Sequence, residues 1–175
     1  MQTYQIRPET PSDFAQIHEL IKNAFASAEY SDHQEHFLVE RLRNDKAFLP
    51  KLALVAENDS HHKNRGEIIG HIVFSEAVIN GQTVLALAPL SVRPDYQHQG
   101  VGTALIKHAH KIIEILDYPA VVVLGHPEYY AKFGYDNANE FGITVPFDVT
   151  DGVLRVWKLG EVPKGEITYA KAFFG

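Results

Sequence analysis

The 175-residue chain contains no cysteine, which excludes disulfides, thiolate metal sites and a cysteine nucleophile and permits a reducing cytoplasm. No segment approaches the roughly 20 consecutive apolar residues that span a bilayer. The stretch Met1 to Arg7 has neither the basic start nor the apolar run of a secretion signal. A cationic surplus is missing as well: the net charge is −6, whereas a nucleic-acid footprint needs clustered Lys and Arg. Repeats, low-complexity tracts and domain linkers are absent too. These absences lead us to expect one soluble, cytoplasmic domain spanning residues 1–175, with neither nucleic acid nor membrane among its partners and an amine-bearing molecule more easily accommodated.

The apolar pattern predicts a mixed α/β fold. Thr3 to Arg7 alternates as a short strand, and Thr10-Pro11-Ser12-Asp13 supplies a capping hydroxyl, a proline for the first helical position and an acid for the first turn. Phe14, Ile17, Ile21, Ala24 and Phe25 recur at helical spacing, and Phe37, Leu38 and Leu42 suggest a second helix from His33 to Asn44. Strands are expected at Leu52 to Glu57 and Glu67 to Ile79, the latter ending in the turn pair Asn80-Gly81. The run Val84 to Val92 reads as a strand covered on both faces, with Pro89 marking a bulge or a place where neighbouring strands part. A helix from Gly100 to Leu116, a strand at Pro119 to Leu124 and a short helix at Pro127 to Lys132 follow. Strand-like segments at Phe141 to Val145, Val153 to Leu159 and Ile167 to Ala172 complete the chain.

The most informative stretch is Val92 to Thr103, where a strand end, a turn and a helix start share one run. The first N–H groups of a helix lack partners within it and carry the positive end of its dipole, so the turn is suited to an anion, a pyrophosphate above all. Gly100 and Gly102 lack a Cβ and let such a group approach the backbone.

Gln97-x-x-Gly100-x-Gly102, in this order of elements and preceded by Leu90-Ser91-Val92-Arg93-Pro94, resembles the acyl-CoA signature of the GNAT superfamily of N-acetyltransferases. Tyr130-Ala131-Lys132-Phe133-Gly134-Tyr135 is similar to that family's tyrosine-to-glycine segment after the fifth strand. The resemblance spans at least residues 67 to 135, and the carboxy-terminal Val156 to Leu159 and Gly165 to Tyr169 resemble the bacterial YhbS-like group. It implies a twisted, mostly antiparallel mixed sheet flanked by helices, with splayed central strands that admit the pantetheine arm of acetyl-CoA, the cosubstrate. Backbone groups of Leu90, Ser91 and Val92 would then meet the pantetheine amides. Amides of Gln97, His98, Gln99, Gly100, Val101, Gly102 and Thr103 would hold the pyrophosphate. Tyr130 would protonate the leaving thiolate, its neighbour Tyr129 pointing about 100° away on a helix.

The acceptor would be a primary amine, of a small molecule or of a peptide or protein, and the enzyme a monomer or homodimer. No acid occurs in Val84 to Val92 where some family members carry a glutamate, so the general base is unassigned among Glu76, His71, Glu35, His33 and His36. Tyr30, Ser31, Asp32, His33 and Glu35 form a polar cluster that borders the acceptor entrance or simply connects two helices. Phe173-Phe174 lines the acceptor groove, makes a subunit contact or packs ordinarily. Among ten histidines, the pairs His33/His36, His61/His62 and His108/His110 have no third ligand at a metal-site spacing, so no metal is expected. His108 falls in step with Val101, Ala104, Leu105 and Ile112 and reads as a partly buried structural histidine. Two rivals stand beside the enzyme: a non-catalytic acyl-CoA-binding module on the same fold, and a dinucleotide-binding oxidoreductase, which would need parallel βαβ repeats.

Overall fold

The structure, a computed structural model, describes residues 3–29 and 31–175. Strands β1 (Tyr4–Pro8), β2 (Phe48–Asn58), β3 (Ile68–Ile79), β4 (Gln82–Val92) and β5 (Ala120–Leu124) lie side by side in that order, followed by β8 (Leu154–Lys158) and β6 (Tyr135–Asn137). The short β7 (Ile143–Thr144) pairs with β9 (Gly165–Thr168), which caps the far end of β3. Antiparallel pairing prevails; in the main ladder only β4 and β5 run parallel. The expected mixed, mostly antiparallel sheet is therefore present, and the doubly wound alternative is excluded.

Helices α1 (Phe14–Ala24) and α2 (Glu35–Leu42) cover one face, α3 (Val101–Ile113) covers the other, and α4 (Pro127–Ala131) follows β5. Leu105, Ile106, Ala109 and Ile113 of α3 pack on Leu54, Ile69, Ile72 and Phe74, while Ile17, Leu20, Ile21, Val39 and Leu42 pack on Ala53, Val55 and Val73. Alternation along each strand feeds both layers, which is why the central strands are apolar at nearly every position. The start of α1 is fixed by Asp13, whose carboxylate accepts from the Thr10 N–H at 2.8 Å and from both terminal nitrogens of Arg7 at 2.8 and 2.9 Å. Behind it, Glu9 accepts from the Arg43 guanidinium at 2.6 Å and meets Nε2 of the fully buried His71 at 2.8 Å.

Several expectations need correction in detail. Phe141 to Val145 is not one strand: a turn of 3-10 helix at Ala138–Phe141 ends at Gly142 (φ 74°), leaving only Ile143–Thr144 extended. Ile167 to Ala172 is likewise divided, because Asp45 binds the Ala172 N–H at 3.1 Å and Arg41 its carbonyl at 2.8 Å, curling Lys171–Phe174 into a 3-10 turn. His108 is exposed and His110 is the buried histidine. The core stripe runs through Val101, Leu105, Ile106, Ala109 and Ile113, a helical phase that turns residue 110 inward.

His110 stacks on Trp157 at 3.7 Å and shares a hydrogen bond with the Tyr135 hydroxyl at 2.9 Å. Burial lowers its pKa to about 4. The unfolded chain, with an ordinary histidine near 6.5, binds this proton first, so stability is full above about pH 6.5 and is lost as pH falls towards 4, by roughly 3 kcal/mol. His36, also lowered by burial, adds to the same window, whereas Glu9, Asp13 and Glu57, all held below their ordinary range, act below it. Thermal unfolding from pH 7 to 4.5 should thus show a falling Tm, and His110→Gln should flatten much of that slope.

Candidate functional site

β4 and β5 are hydrogen-bonded only from Leu85 to Leu87 against Val121 to Val123. Beyond that point β4 stays with β3 through Leu90, Ser91 and Val92, while β5 continues along β8. The separation coincides with a bulge: Leu87 and Leu90 of β4 face Phe74 and Ile72 of β3, so β4 carries one extra residue where Pro89 stands. Ladder alternation, fixed by the Arg93 N–H donating to the Ile69 carbonyl at 2.9 Å, points the main-chain groups of Ser91 toward β3 and those of Leu90 and Val92 into the opening.

On the α3 face this opening runs into a pocket of about 460 Å³ at the glycine turn. Leu90, Val92, Gln97, His98, Gly100, Val101, Gly102 and Thr103 all line it. The other expected cofactor residues, Ser91 and Gln99, do not: Ser91 is buried with its hydroxyl unbonded, and the Gln99 amide donates back to the Asp95 carbonyl at 3.1 Å. Gly100 adopts φ 89°, and a Cβ there would meet no protein atom within 4 Å. The glycine is thus required by backbone geometry and faces open space. Gln97 ties the turn to the strand end, its side-chain amide donating to the Val92 carbonyl at 3.1 Å. Arg93 pairs with Glu67, and Tyr96 bonds Asn58 at 3.2 Å, clamping the turn from below.

Sequence reasoning missed three further lining residues, Tyr96, Tyr129 and Lys132. Tyr129 lies against the first turn of α3, its hydroxyl 2.7 Å from where a Gly102 Cβ would stand. Lys132 lies 5.1 Å over its ring and gives the pocket a cation. Tyr96 belongs to the turn stretch itself; no local pattern marks Tyr129 and Lys132, which the placement of α4 beside α3 brings in. Tyr130 turns the other way. It is 8% exposed, its ring packs edge-on to Tyr129 and Tyr135, and its hydroxyl has no hydrogen-bond partner among the described residues. Desolvation raises its pKa far above the ordinary tyrosine value, so the hydroxyl keeps its proton.

None of the five candidate bases lines this pocket. His71 is engaged with Glu9, Glu76 turns to Tyr118 on the α3 face, Glu35 accepts from the Ser31 hydroxyl, His33 bonds the Phe25 carbonyl, and His36 packs against His18 and Phe37. Ser31 and Asp32 also bond the backbone of His33 and Gln34, so this cluster shapes the helix connection; Tyr30 lies outside the described residues. Among the described residues no three His, Asp or Glu converge on a possible metal ion, and no helix is long and apolar enough to cross a membrane.

The position of Tyr130 depends on a missing side chain, since a Cβ on Gly125 would stand 2.2 Å from its ring. Gly125→Ala should therefore displace that ring and destabilise the protein by about 1–3 kcal/mol, the usual range for overpacking. Gly160→Ala, whose Cβ would meet only ordinary contacts, is the control expected to leave Tm nearly unchanged.

Comparison with known proteins gives a consistent result. The family of the Acetyltransferase (GNAT) domain matches residues 50–137. The N-acetyltransferase YhbS of Escherichia coli is 32% identical over 158 residues, covering 89% of this chain and 87% of that protein. A crystal structure of E. coli YhbS in complex with CoA superposes with a TM-score of 0.85 at 29% identity, covering 100% of this chain and 94% of that one. A GNAT family acetyltransferase from Brucella melitensis in complex with acetyl-CoA gives 0.79 at 31% identity over 97% of both chains.

Proposed function

Because the chain belongs to the GNAT family of acetyltransferases, we propose that it moves an acetyl group from acetyl-CoA to a primary amine by direct attack. The observation that carries this reading is the continuity of the strand opening with the glycine-turn pocket. An extended pantetheine arm fits beside β4 as an added strand, meeting the main-chain groups of Leu90 and Val92, and its pyrophosphate fits the amides from Gln97 to Thr103, with Lys132 adding charge. Gln99 and Ser91 contribute through the shape of the turn and strand rather than through their side chains.

The amine nitrogen attacks the thioester carbonyl, a C–N bond forms, and the C–S bond breaks as the tetrahedral oxyanion collapses. Main-chain N–H groups near Leu90 and Val92 face the developing oxyanion. The attacking amine gives up one proton to solvent, and the departing thiolate takes one from Tyr130, whose protonated state is secured by burial. Relatives solved with CoA and with acetyl-CoA support the donor.

Tyr130→Phe should lower kcat by about 100- to 10,000-fold, the usual worth of a general acid, without changing acetyl-CoA affinity by calorimetry. The wild-type rate should rise with pH as the amine deprotonates and show no falling limb at the ordinary tyrosine pKa near 10, since the folded protein holds Tyr130 above it. Gly100→Val should abolish measurable acetyl-CoA binding while circular dichroism stays native. Unchanged affinity in that variant would remove the glycine turn from the site.

A further inference from the structure

The opening between β4 and β5 has a second mouth. On the sheet face away from α3, Ala88 and Leu124 at the start of the opening border a cavity of about 180 Å³ that extends over the last paired residues, Ala86 and Val122, and is walled by Phe147, Tyr169, Phe173 and Phe174. Its position follows from strand alternation. Leu87 and Val123 point into the α3 core, and Ala86 and Val122 point the other way. A thioester lying in the strand opening is therefore within reach from both faces, and an acceptor arriving through this cavity would not compete with the cofactor on the α3 side.

Size, wall and charge together define what fits. An apolar protein cavity of roughly 150 Å³ takes a benzene ring, so a single ring-sized group suits the volume here. Phe147 and Tyr169 stack at 6.4 Å, and Tyr169 and Phe173 lie 5.1 Å apart, giving an aromatic slot. At the rim Phe174 is 66% exposed, Phe147 45% and Leu124 39%. Large apolar groups gathered around the mouth of a cavity, rather than scattered over a surface, mark a place that a ligand covers.

No acidic, basic or histidine side chain lines the cavity. The charged residues on the elements around it are engaged elsewhere or exposed. Asp148, Glu166 and Lys171 are exposed outside the lining, and Arg155 on β8 donates to the carbonyls of Tyr135 and Gly152. Tyr169, the one polar group of the wall, has its pKa raised to about 12 by burial and stays neutral. An alkylammonium entering such a wall loses hydration and gains no counter-charge, which favours its neutral form. The weaker the base, the less this costs: an α-amino group near 8 gives up its proton far more readily than a lysine-like amine near 10.4.

We propose that this cavity selects, as acetyl acceptor, a small primary amine of low basicity carried on an apolar ring-sized group. The assignment rests on the acetyl-transfer reading above. It assigns the work of a general base to the environment: the wall strips the ammonium of water, the proton leaves to solvent before attack, and the free amine meets the carbonyl from the side opposite α3.

The test measures thiol release by the full chain with acetyl-CoA and three amines at pH 7: phenylalaninamide, 2-phenylethylamine and spermidine. The expected order of kcat/KM is phenylalaninamide, then 2-phenylethylamine, then spermidine, with about tenfold or more between the first and last, as burial of a ring would give. Phe174→Asp, a change at an exposed position, should reverse the preference between 2-phenylethylamine and spermidine while leaving the KM for acetyl-CoA unaltered. Spermidine as the best substrate, or an unchanged order in Phe174→Asp, overturns the assignment and leaves acetyl transfer standing. A rate for 2-phenylethylamine above that for phenylalaninamide overturns the part about basicity. If no amine releases thiol although acetyl-CoA binds, acetyl transfer itself fails, and the acceptor assignment with it.

Discussion

One broken ladder organises this molecule. β4 is bonded on one side to β3 as far as Val92, but on the other side β5 stays with it only through Leu87. Pro89 has no N–H to offer a neighbouring strand, and the extra residue of the bulge turns the edge of β4 away from β5. A sheet interior does not ordinarily leave main-chain groups without partners. The main-chain groups of Leu90 and the Val92 N–H, turned away from β3, thus form a half-buried, strand-like polar edge beside the Val92 carbonyl that Gln97 already engages, and an extended amide-bearing chain is a ligand whose chemistry matches it.

The two faces of the opening then divide the work. On the α3 face the proposed phosphate contacts are backbone N–H groups of a glycine turn, which Gln97, Arg93 and Tyr96 brace through the Val92 carbonyl, Glu67 and Asn58. Recognition by main chain constrains the path of the backbone more than the identity of its side chains. That agrees with a TM-score of 0.85 to E. coli YhbS at only 29% identity. On the other face the wall is made of side chains alone, from the segment around Phe147 and from the carboxy-terminal turn. Those are the places where a change of sequence alters what fits without moving the cofactor turn.

The turn was legible in the sequence because everything it needs is consecutive: an apolar run, a proline, two glycines and an amphipathic helix within residues 84 to 116. The same holds for the hairpin at Asn80-Gly81, whose left-handed dihedrals (φ 49° and 78°) a two-residue turn requires. Legibility ended where long-range docking decides. Tyr129 was set aside because a helix separates adjacent residues by about 100°, yet it is Tyr129 that lines the glycine-turn pocket against α3, while Tyr130 is inserted beneath Gly125. The phase of α3 was misjudged by two residues because His108 and His110 both sit beside apolar neighbours, and only the partners Tyr135 and Trp157 distinguish them. The aromatic cavity draws on residues 86 to 174, a span that no local pattern reports.

The unassigned base and the apolar wall are two aspects of one constraint. A carboxylate at the acceptor mouth would accept the proton of an incoming ammonium, but it would also stabilise that ammonium and hold the amine in its unreactive form. Burying such an acid among Phe147, Tyr169 and Phe173 would in turn carry a desolvation cost of several kcal/mol. With no acid in the cavity wall, the proposed reaction would meet a neutral amine rather than an ammonium and would need only one group of controlled protonation, the donor to sulfur. In the proposed reaction Tyr130 would be that donor: burial keeps its phenol protonated, and the same exclusion of water on the other side of the sheet would keep the amine uncharged.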